Sequence, residues 1–394
     1  MDQLLLSLLE KRINKGEKNM KRFFTLLAVL NVTTGSTIIV TSCAIEQGWH
    51  LNPDDSLLLI GKDIDKSKAI DDAKSNLQFT NYYILGDSLS DSHGIEKLIK
   101  NSFKLDIKIG TDDPSDLENY QNGSLTNGNT AAVLLNDKLG FDEIKPGIPN
   151  DLDSDFGRNY AIAGATAADV AGTVGVLLNR VTIEKQAQAL VSQHKLRSTD
   201  LVLFEIGGND LFQIIDTTDP QVELAMMQQS VERIKVALFT LLNNGVRKIL
   251  FSDAPNVSII PRYNSNSQDS DENLKKRANN IATEFHSRVT KMIELANSYY
   301  NNAIRNWGLY DNLPVLMTEF KTRHPQSNVT VNFNNLNLDF MKIIEEEKLN
   351  AQRNPALPSN ANVDDYFFFD IVHPTREVHQ LAMEHYYQTV KEWT

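Results

Sequence analysis

A three-layer α/β fold, with one parallel sheet covered by helices on both faces, is predicted by three features of this 394-residue chain. Short runs rich in Val, Ile, Leu, Tyr and Phe recur from about Phe79 onward. Segments of helix length lie between them. The residues that follow the runs are Gly, Ser, Asn and Asp, which suit tight turns and hydrogen bonding. Strands separated by helices imply βαβ units, parallel pairing and right-handed crossovers.

Taken in order, the predicted strands cover residues 82–85, 160–163, 201–206, 246–251 and 329–333. The predicted helices cover residues 95–101, 130–139, 167–176, 183–194, 220–243 and 273–299. The helix before Val246 ends at Asn244-Gly245, a left-handed cap signal. Residues 264–273, rich in Asn, Asp and Ser, and residues 351–364, with Pro355 and Pro358, read as surface loops. No fixed-period repeat is visible.

Composition narrows the function. Hydrophobic residues make up 41% and charged residues 23%, which excludes collagen-like, coiled-coil and wholly disordered chains. A net charge of −12 argues against nucleic acid as a partner, because phosphate contact needs clustered Lys and Arg. The body has no apolar stretch of about 20 residues, so a multi-span membrane protein is excluded. A single cysteine, Cys43, excludes an internal disulfide framework and any thiolate-rich metal site.

The amino terminus reads as an address. From Met20 a positive head, Met20-Lys21-Arg22, leads into an apolar run over residues 23–32 and then small and hydroxylated residues. The exit Val40-Thr41-Ser42-Cys43 resembles the lipobox of bacterial lipoproteins, in which the cysteine is lipidated and becomes the first residue. Two other readings stay open: ordinary signal removal at Ser42-Cys43-Ala44, and an amphipathic helix packed on the domain. The expected organisation is a signal and lipobox over 1–43, with Met20 as the start, a polar tether over 44–78, and a catalytic domain over 79–394. A flexible tether of that length spans on the order of 30 Å. The protein is thus expected to be exported and held at a membrane surface, or secreted.

In open α/β sheets, ligands sit beyond the carboxyl ends of the strands. Reading those positions gives Gly86-Asp87-Ser88, Gly164, Gly207-Gly208-Asn209-Asp210 and Asp253, and a helical face near the end adds Asp370 and His373. An ester hydrolase needs a nucleophile, a base, a group that holds the base, and donors for the oxyanion. Ser88 follows the first strand and suits the nucleophile. His373 suits the base, and Asp370, three residues earlier, can fix its tautomer. His93 competes as base, but its own turn has no obvious carboxylate other than Asp91. Asp87 and Asp91 read as turn and helix-cap residues, Asp210 as a brace for its loop, and His379 and His385 as packing or surface residues.

Four blocks resemble the GDSL, or SGNH, hydrolase family. They are Gly86-Asp87-Ser88-Leu89-Ser90-Asp91, Asn159-Tyr160-Ala161-Ile162-Ala163-Gly164-Ala165, Gly207-Gly208-Asn209-Asp210 and Asp370-Ile371-Val372-His373-Pro374-Thr375. Weaker agreement exists at Leu125-Thr126-Asn127-Gly128 and Gly245-Val246-Arg247-Lys248. The resemblance implies a flavodoxin-like, five-stranded parallel sheet, with Ser88 as nucleophile, His373 as base and Asp370 as its partner. It also implies an oxyanion hole built from the Ser88 and Gly164 N–H groups and the Asn209 amide. No metal or organic cofactor is implied.

The substrate is read more coarsely. A lipid anchor would hold the domain at a bilayer. The block from Asp370 to Thr375, followed by Val378-His379, looks like the secreted bacterial phospholipase and lysophospholipase–acyltransferase branch. Val257, Ile259 and Ile260, in the loop from Ala254 to Tyr263, offer an apolar surface to an acyl chain or anchor a buried loop. The acidic chain has no polybasic patch to attract anionic bilayers. A phospholipase A or lysophospholipase A, with acyl transfer to another alcohol as an extension, is therefore expected. The alternatives are an O-acetyl esterase acting on polysaccharide and a non-catalytic surface lipoprotein.

Overall fold

The computed structural model describes residues 67, 77–149, 156–171, 175, 177–264, 271–336 and 340–393. The expected signal, lipobox and Cys43 lie outside the described residues, as does nearly all of the expected tether. Phe79 is buried in the main core, with Leu77 packed against it.

Four strands form one parallel sheet: β1 (Tyr82–Leu85), β2 (Leu201–Glu205), β3 (Lys248–Ser252) and β4 (Ile304–Asn306), adjacent in that order. Every residue of β1 and β2 is buried, as expected of strands covered on both faces. The register sets Tyr82 beside Leu201 and Leu201 beside Lys248.

Residues 158–162 run along the free side of β1 without forming a regular strand. Ile84 donates its N–H to the Arg158 carbonyl, and Tyr160 and Ile162 donate to the carbonyls of Ile84 and Gly86. With that segment in second place, the spatial order is 2-1-3-4-5, the flavodoxin-like order. The expected fifth strand over 329–333 belongs elsewhere. As β5 (Asn328–Asn332) it pairs in parallel with β6 (Tyr366–Phe368), apart from the main sheet. The sheet's last position goes to β4, three residues long and increasingly exposed along its length.

The helices are α1 (Gly94–Phe103), α2 (Ala131–Leu139), α3 (Ile183–Gln193), α4 (Gly208–Asp216), α5 (Pro220–Asn243), α6 (Glu272–Tyr299), α7 (Leu309–Arg323) and α8 (Arg376–Lys391). Helices α2, α7 and α8 form one packed group; α3, α4, α5 and α6 form the other. Together they flank the sheet as the two outer layers. The start of α5 is fixed by Asp219, whose side chain accepts the Gln221 N–H, and by Pro220 in the first helical position. Beyond its end, Gly245 adopts φ +99°, as the Asn-Gly pair predicts. Residues 167–171, expected to open a helix, are not helical. Two of their N–H groups are taken by Asp210 instead.

A second, smaller core joins Leu105, Ile107, Tyr120, Phe333, Val363 and Phe369. It lies against the segment that leads from β6 to α8, and so supports Asp370 and His373 from below.

Candidate active site

The turn that carries Ser88 is assembled at the end of β1. The Asp87 carbonyl accepts the N–H groups of Ser90 and Asp91 at 3.1 and 3.0 Å, and its carboxylate accepts that of Leu89 at 3.1 Å. The Ser88 N–H is engaged by no other group among the described residues. On the far side of the chain, Gln186 from α3 clamps Gly86: its Oε1 accepts the Gly86 N–H at 2.8 Å and its Nε2 donates to the Gly86 carbonyl at 2.9 Å.

Asp370 and His373, expected on a helical face, lie on a loop before α8 instead, because the chain turns back on itself there: the Phe369 N–H donates to the His373 carbonyl at 2.7 Å. The weaker block holds its far end. Thr126 Oγ1 donates to the Pro374 carbonyl and Asn127 Oδ1 accepts the Arg376 N–H, each at 2.8 Å.

These two pieces bring Ser88, His373 and Asp370 together, all three buried. His373 Nε2 stands 2.8 Å from Ser88 Oγ, and His373 Nδ1 stands 2.8 Å from Asp370 Oδ2. Asp370 Oδ1 also accepts the N–H groups of Val372 and His373 at 2.8 Å, and Oδ2 accepts the Tyr120 hydroxyl at 3.0 Å. With Nδ1–H turned to the carboxylate, the imidazole presents the Nε2 lone pair to the serine hydroxyl. Hydroxyl, imidazole and carboxylate thus form one chain of hydrogen bonds.

Gly164 adopts φ +83°, in the left-handed region, and its N–H meets no acceptor among the described residues. Its neighbour Ala163 is tied to the nucleophile side through its N–H to Asp91 Oδ2 at 2.7 Å. Asn209 lies in the first turn of α4, where Nδ2 donates one hydrogen to the Ala165 carbonyl at 3.0 Å. Asp210 accepts the N–H groups of Ala167 and Ala168 at 2.9 and 2.8 Å, so it braces the loop that follows Gly164.

Several acidic groups near the site are buried. Burial pushes Asp91 up to about 7, against the pull of the Ala163, Gly94 and Ile95 N–H groups that it accepts. Those last two bonds cap α1. Burial pushes Asp87 up to about 6, opposed by the Leu89 N–H and the nearby His373. His93 has an orienting carboxylate that the local sequence reading did not identify. Its Nδ1 lies 2.7 Å from Glu96 Oε2, and that contact raises its pKa. The imidazole that meets Ser88 is nevertheless that of His373. Burial drives His379 down to about 3, its Nδ1 accepting the Ala131 N–H at 3.1 Å, and His385 pairs with Glu319. Among the described residues, no group of three or more His, Cys, Asp or Glu side chains is arranged to hold a metal ion.

An apolar cavity of about 50 Å³ opens next to these groups. Leu89 and Val372, the neighbours of Ser88 and His373, line it together with Ile260, Leu309, Leu313 and Phe368. In the loop from Ala254 to Tyr263, Val257 is buried in the main core and Ile260 faces the cavity. Phe367 lines the cavity too, whereas Phe369 packs edge-on against Tyr120, with ring centroids 5.3 Å apart.

The model of the GDSL-like lipase/acylhydrolase family matches residues 82–386. The chain belongs to that family. It is a carboxylic ester hydrolase, and the hydrogen bonds among Ser88, His373 and Asp370 join two of its GDSL blocks, those of Ser88 and of Asp370 to His373. A GDSL esterase/lipase of Arabidopsis thaliana is 23% identical over 337 residues, covering 78% of this chain and 90% of its own. A second from the same plant is 23% identical over 330 residues, covering 76% and 84%. The secreted effector protein SseJ of Salmonella typhimurium is 24% identical over 324 residues, covering 81% of this chain and 66% of its own. A solved gut microbial diltiazem-metabolizing enzyme aligns with a TM-score of 0.35 at 9% identity, covering 81% of this chain and 48% of its own.

Sequence reasoning did not single out Tyr120, Gln186 or Glu205. Nothing near Tyr120 or Gln186 marks them. Glu205, an acid inside the apolar run Leu201-Val202-Leu203-Phe204-Glu205-Ile206, did carry a signal.

Proposed function

We propose that this GDSL hydrolase cleaves lipid esters through an acyl-enzyme on Ser88, as a phospholipase A or lysophospholipase A. The 2.8 Å contact between Ser88 Oγ and His373 Nε2 carries the reading. His373 takes the hydroxyl proton as Oγ attacks the ester carbonyl carbon, and Asp370 stabilises the imidazolium that forms. The tetrahedral oxyanion is met by the N–H groups of Ser88 and Gly164 and by the second amide hydrogen of Asn209. His373 then gives its proton to the departing alkoxide, leaving the acyl group on Ser88. Water, or another alcohol in the transfer reaction, completes the cycle by the same steps in reverse.

The lipid reading is supported by the apolar cavity beside Leu89 and Val372. A bound acyl chain would meet hydrocarbon there, at about 25 cal/mol for each Å² removed from water. The lipobox-like segment gives a second support: its signal would direct export, and lipidation at Cys43 would keep the enzyme at a membrane surface. Mass spectrometry of the native amino terminus tests that part. A diacylated Cys43 is expected, and an unmodified Cys43 or intact residues 20–42 would refute it.

The size of the same cavity favours a second reading, a carbohydrate O-acetyl esterase. The cavity's volume of about 50 Å³ is smaller than the ~150 Å³ cavity that accepts benzene, so a short acyl group fits it better than a long chain. Rates on lysophosphatidylcholine and on acetylated xylan or peptidoglycan separate the two. Faster release of fatty acid is expected; preference for the acetyl ester would replace the lipid reading.

A further inference from the structure

Glu205 ends β2 in the interior, 2% exposed, alongside the turn that carries Ser88. Three groups of that turn meet its carboxyl. Ser90 Oγ donates to Oε2 at 3.1 Å, and the backbone N–H and the carboxyl of Asp87 both lie within interaction reach of the same carboxyl. Glycine at position 86 makes room for this. A Cβ there would stand 2.8 Å from the Glu205 carbonyl oxygen and 3.2 Å from Oε2. Ser88 therefore lies between two residues, Asp87 and Ser90, that both meet the Glu205 carboxyl.

Two carboxyl groups in contact inside a protein do not both ionise, and a hydrogen bond between them requires a proton. The neighbours decide which acid keeps it. Asp87 faces the His373 imidazole, the Leu89 N–H and, more distantly, Asp210. Glu205 faces Asp87 itself and, from α8, the Tyr386 hydroxyl. The positive charge that arises on His373 favours a carboxylate at Asp87. Burial, and then the charge on Asp87, both raise Glu205.

We propose that Glu205 is a positioning residue for Ser88: as the neutral acid it donates its proton to Asp87, while its other oxygen accepts from Ser90, and so it keeps the nucleophile turn in one shape. The proposal rests on Ser88 being the nucleophile. When Glu205 loses its proton in alkali, two like charges press together beneath the turn, Ser88 leaves the line to His373, and turnover falls. A glutamine at the same place is a neutral donor and acceptor that cannot ionise.

Steady-state rates on a soluble short-chain ester, from about pH 6 to about pH 10, decide between wild type and Glu205→Gln. The variant should keep kcat within about threefold of wild type near neutrality, because its amide replaces the acid's hydrogen bonds. Above the wild-type alkaline limb, the ratio of variant to wild-type kcat should rise about tenfold per pH unit, with KM unchanged. Superimposed alkaline limbs overturn the proposal, and so does a wild-type kcat that does not fall in alkali. Ser88→Ala, assayed in parallel, keeps the two claims apart. Full turnover in that variant removes the nucleophile reading, whereas its loss combined with superimposed limbs removes the role of Glu205 alone.

Discussion

Tyr120 and Asp370 stand 250 positions apart, and the Tyr120 hydroxyl donates a 3.0 Å hydrogen bond to Asp370 Oδ2 in the interior. The tyrosine belongs to the smaller core, packed on Phe369, so that core is coupled to the carboxylate that orients His373. Tyr120→Phe keeps the ring and removes the donor. A hydrogen bond to a charged group contributes about 1.5–3 kcal/mol, and Asp370 retains three others, so kcat should fall on the order of tenfold with KM little changed. Steady-state kinetics on a soluble ester check this; an unchanged kcat would make Tyr120 a packing residue only.

In the proposed mechanism, Asn209→Ala removes a neutral donor from the place where negative charge develops. Loss of one such donor costs about 3–4 kcal/mol in the transition state, a fall of about 10²–10³ in kcat. The same change frees the Ala165 carbonyl, so thermal unfolding should show a small loss of stability as well. A variant with a raised KM and intact kcat would contradict the assigned role.

Gln186→Leu strips both hydrogen bonds from the Gly86 backbone in a buried setting. The Gly86 carbonyl keeps the Ile162 N–H, so the groups left unpaired are the Gly86 N–H and the Val181 carbonyl, which Gln186 Nε2 also meets at 3.0 Å. At about 1–3 kcal/mol each, urea unfolding should report a loss of roughly 2–6 kcal/mol. A loss below about 1 kcal/mol would show that the turn finds other partners.

His379 predicts a pH dependence with a definite sign. Its folded pKa, about 3, lies below the ordinary value of 6.5, because burial excludes the charged form. The unfolded chain therefore binds more protons below 6.5, and the stability present above that pH is lost as pH falls toward 3. His379→Asn places an amide oxygen where Nδ1 accepts the Ala131 N–H and cannot be protonated. Urea unfolding at about pH 7 and about pH 5 should show wild type losing about 2 kcal/mol relative to the variant. Parallel losses in the two proteins would contradict it.

The parts of this molecule that were legible in its sequence are those that local chemistry specifies. β1, β2 and α5 are strong patterns with marked ends, and the GDSL blocks that follow β1 and β2 sit at strand termini because a turn there needs Gly, Asp and Asn. β4 was missed because three residues carry too little pattern, and α7 because Pro314 interrupts it. Residues 329–333 were read as a strand and form one, but strand pairing is decided by tertiary contacts that the run itself does not encode. Tyr120 and Gln186 are ordinary residues far along the chain from the groups they hold. Only the fold brings them to Asp370 and Gly86.

The central claim is that Ser88 and His373 act together on an ester, and the most direct test is covalent capture. The enzyme is treated with a fluorophosphonate and analysed by peptide mass spectrometry. The adduct is expected on Ser88 in the wild type, absent from Ser88→Ala and strongly slowed in His373→Ala, with ester turnover falling on the order of 10⁴-fold or more in both variants. An adduct on another residue, or a Ser88→Ala protein that hydrolyses ester at the wild-type rate, would contradict the account.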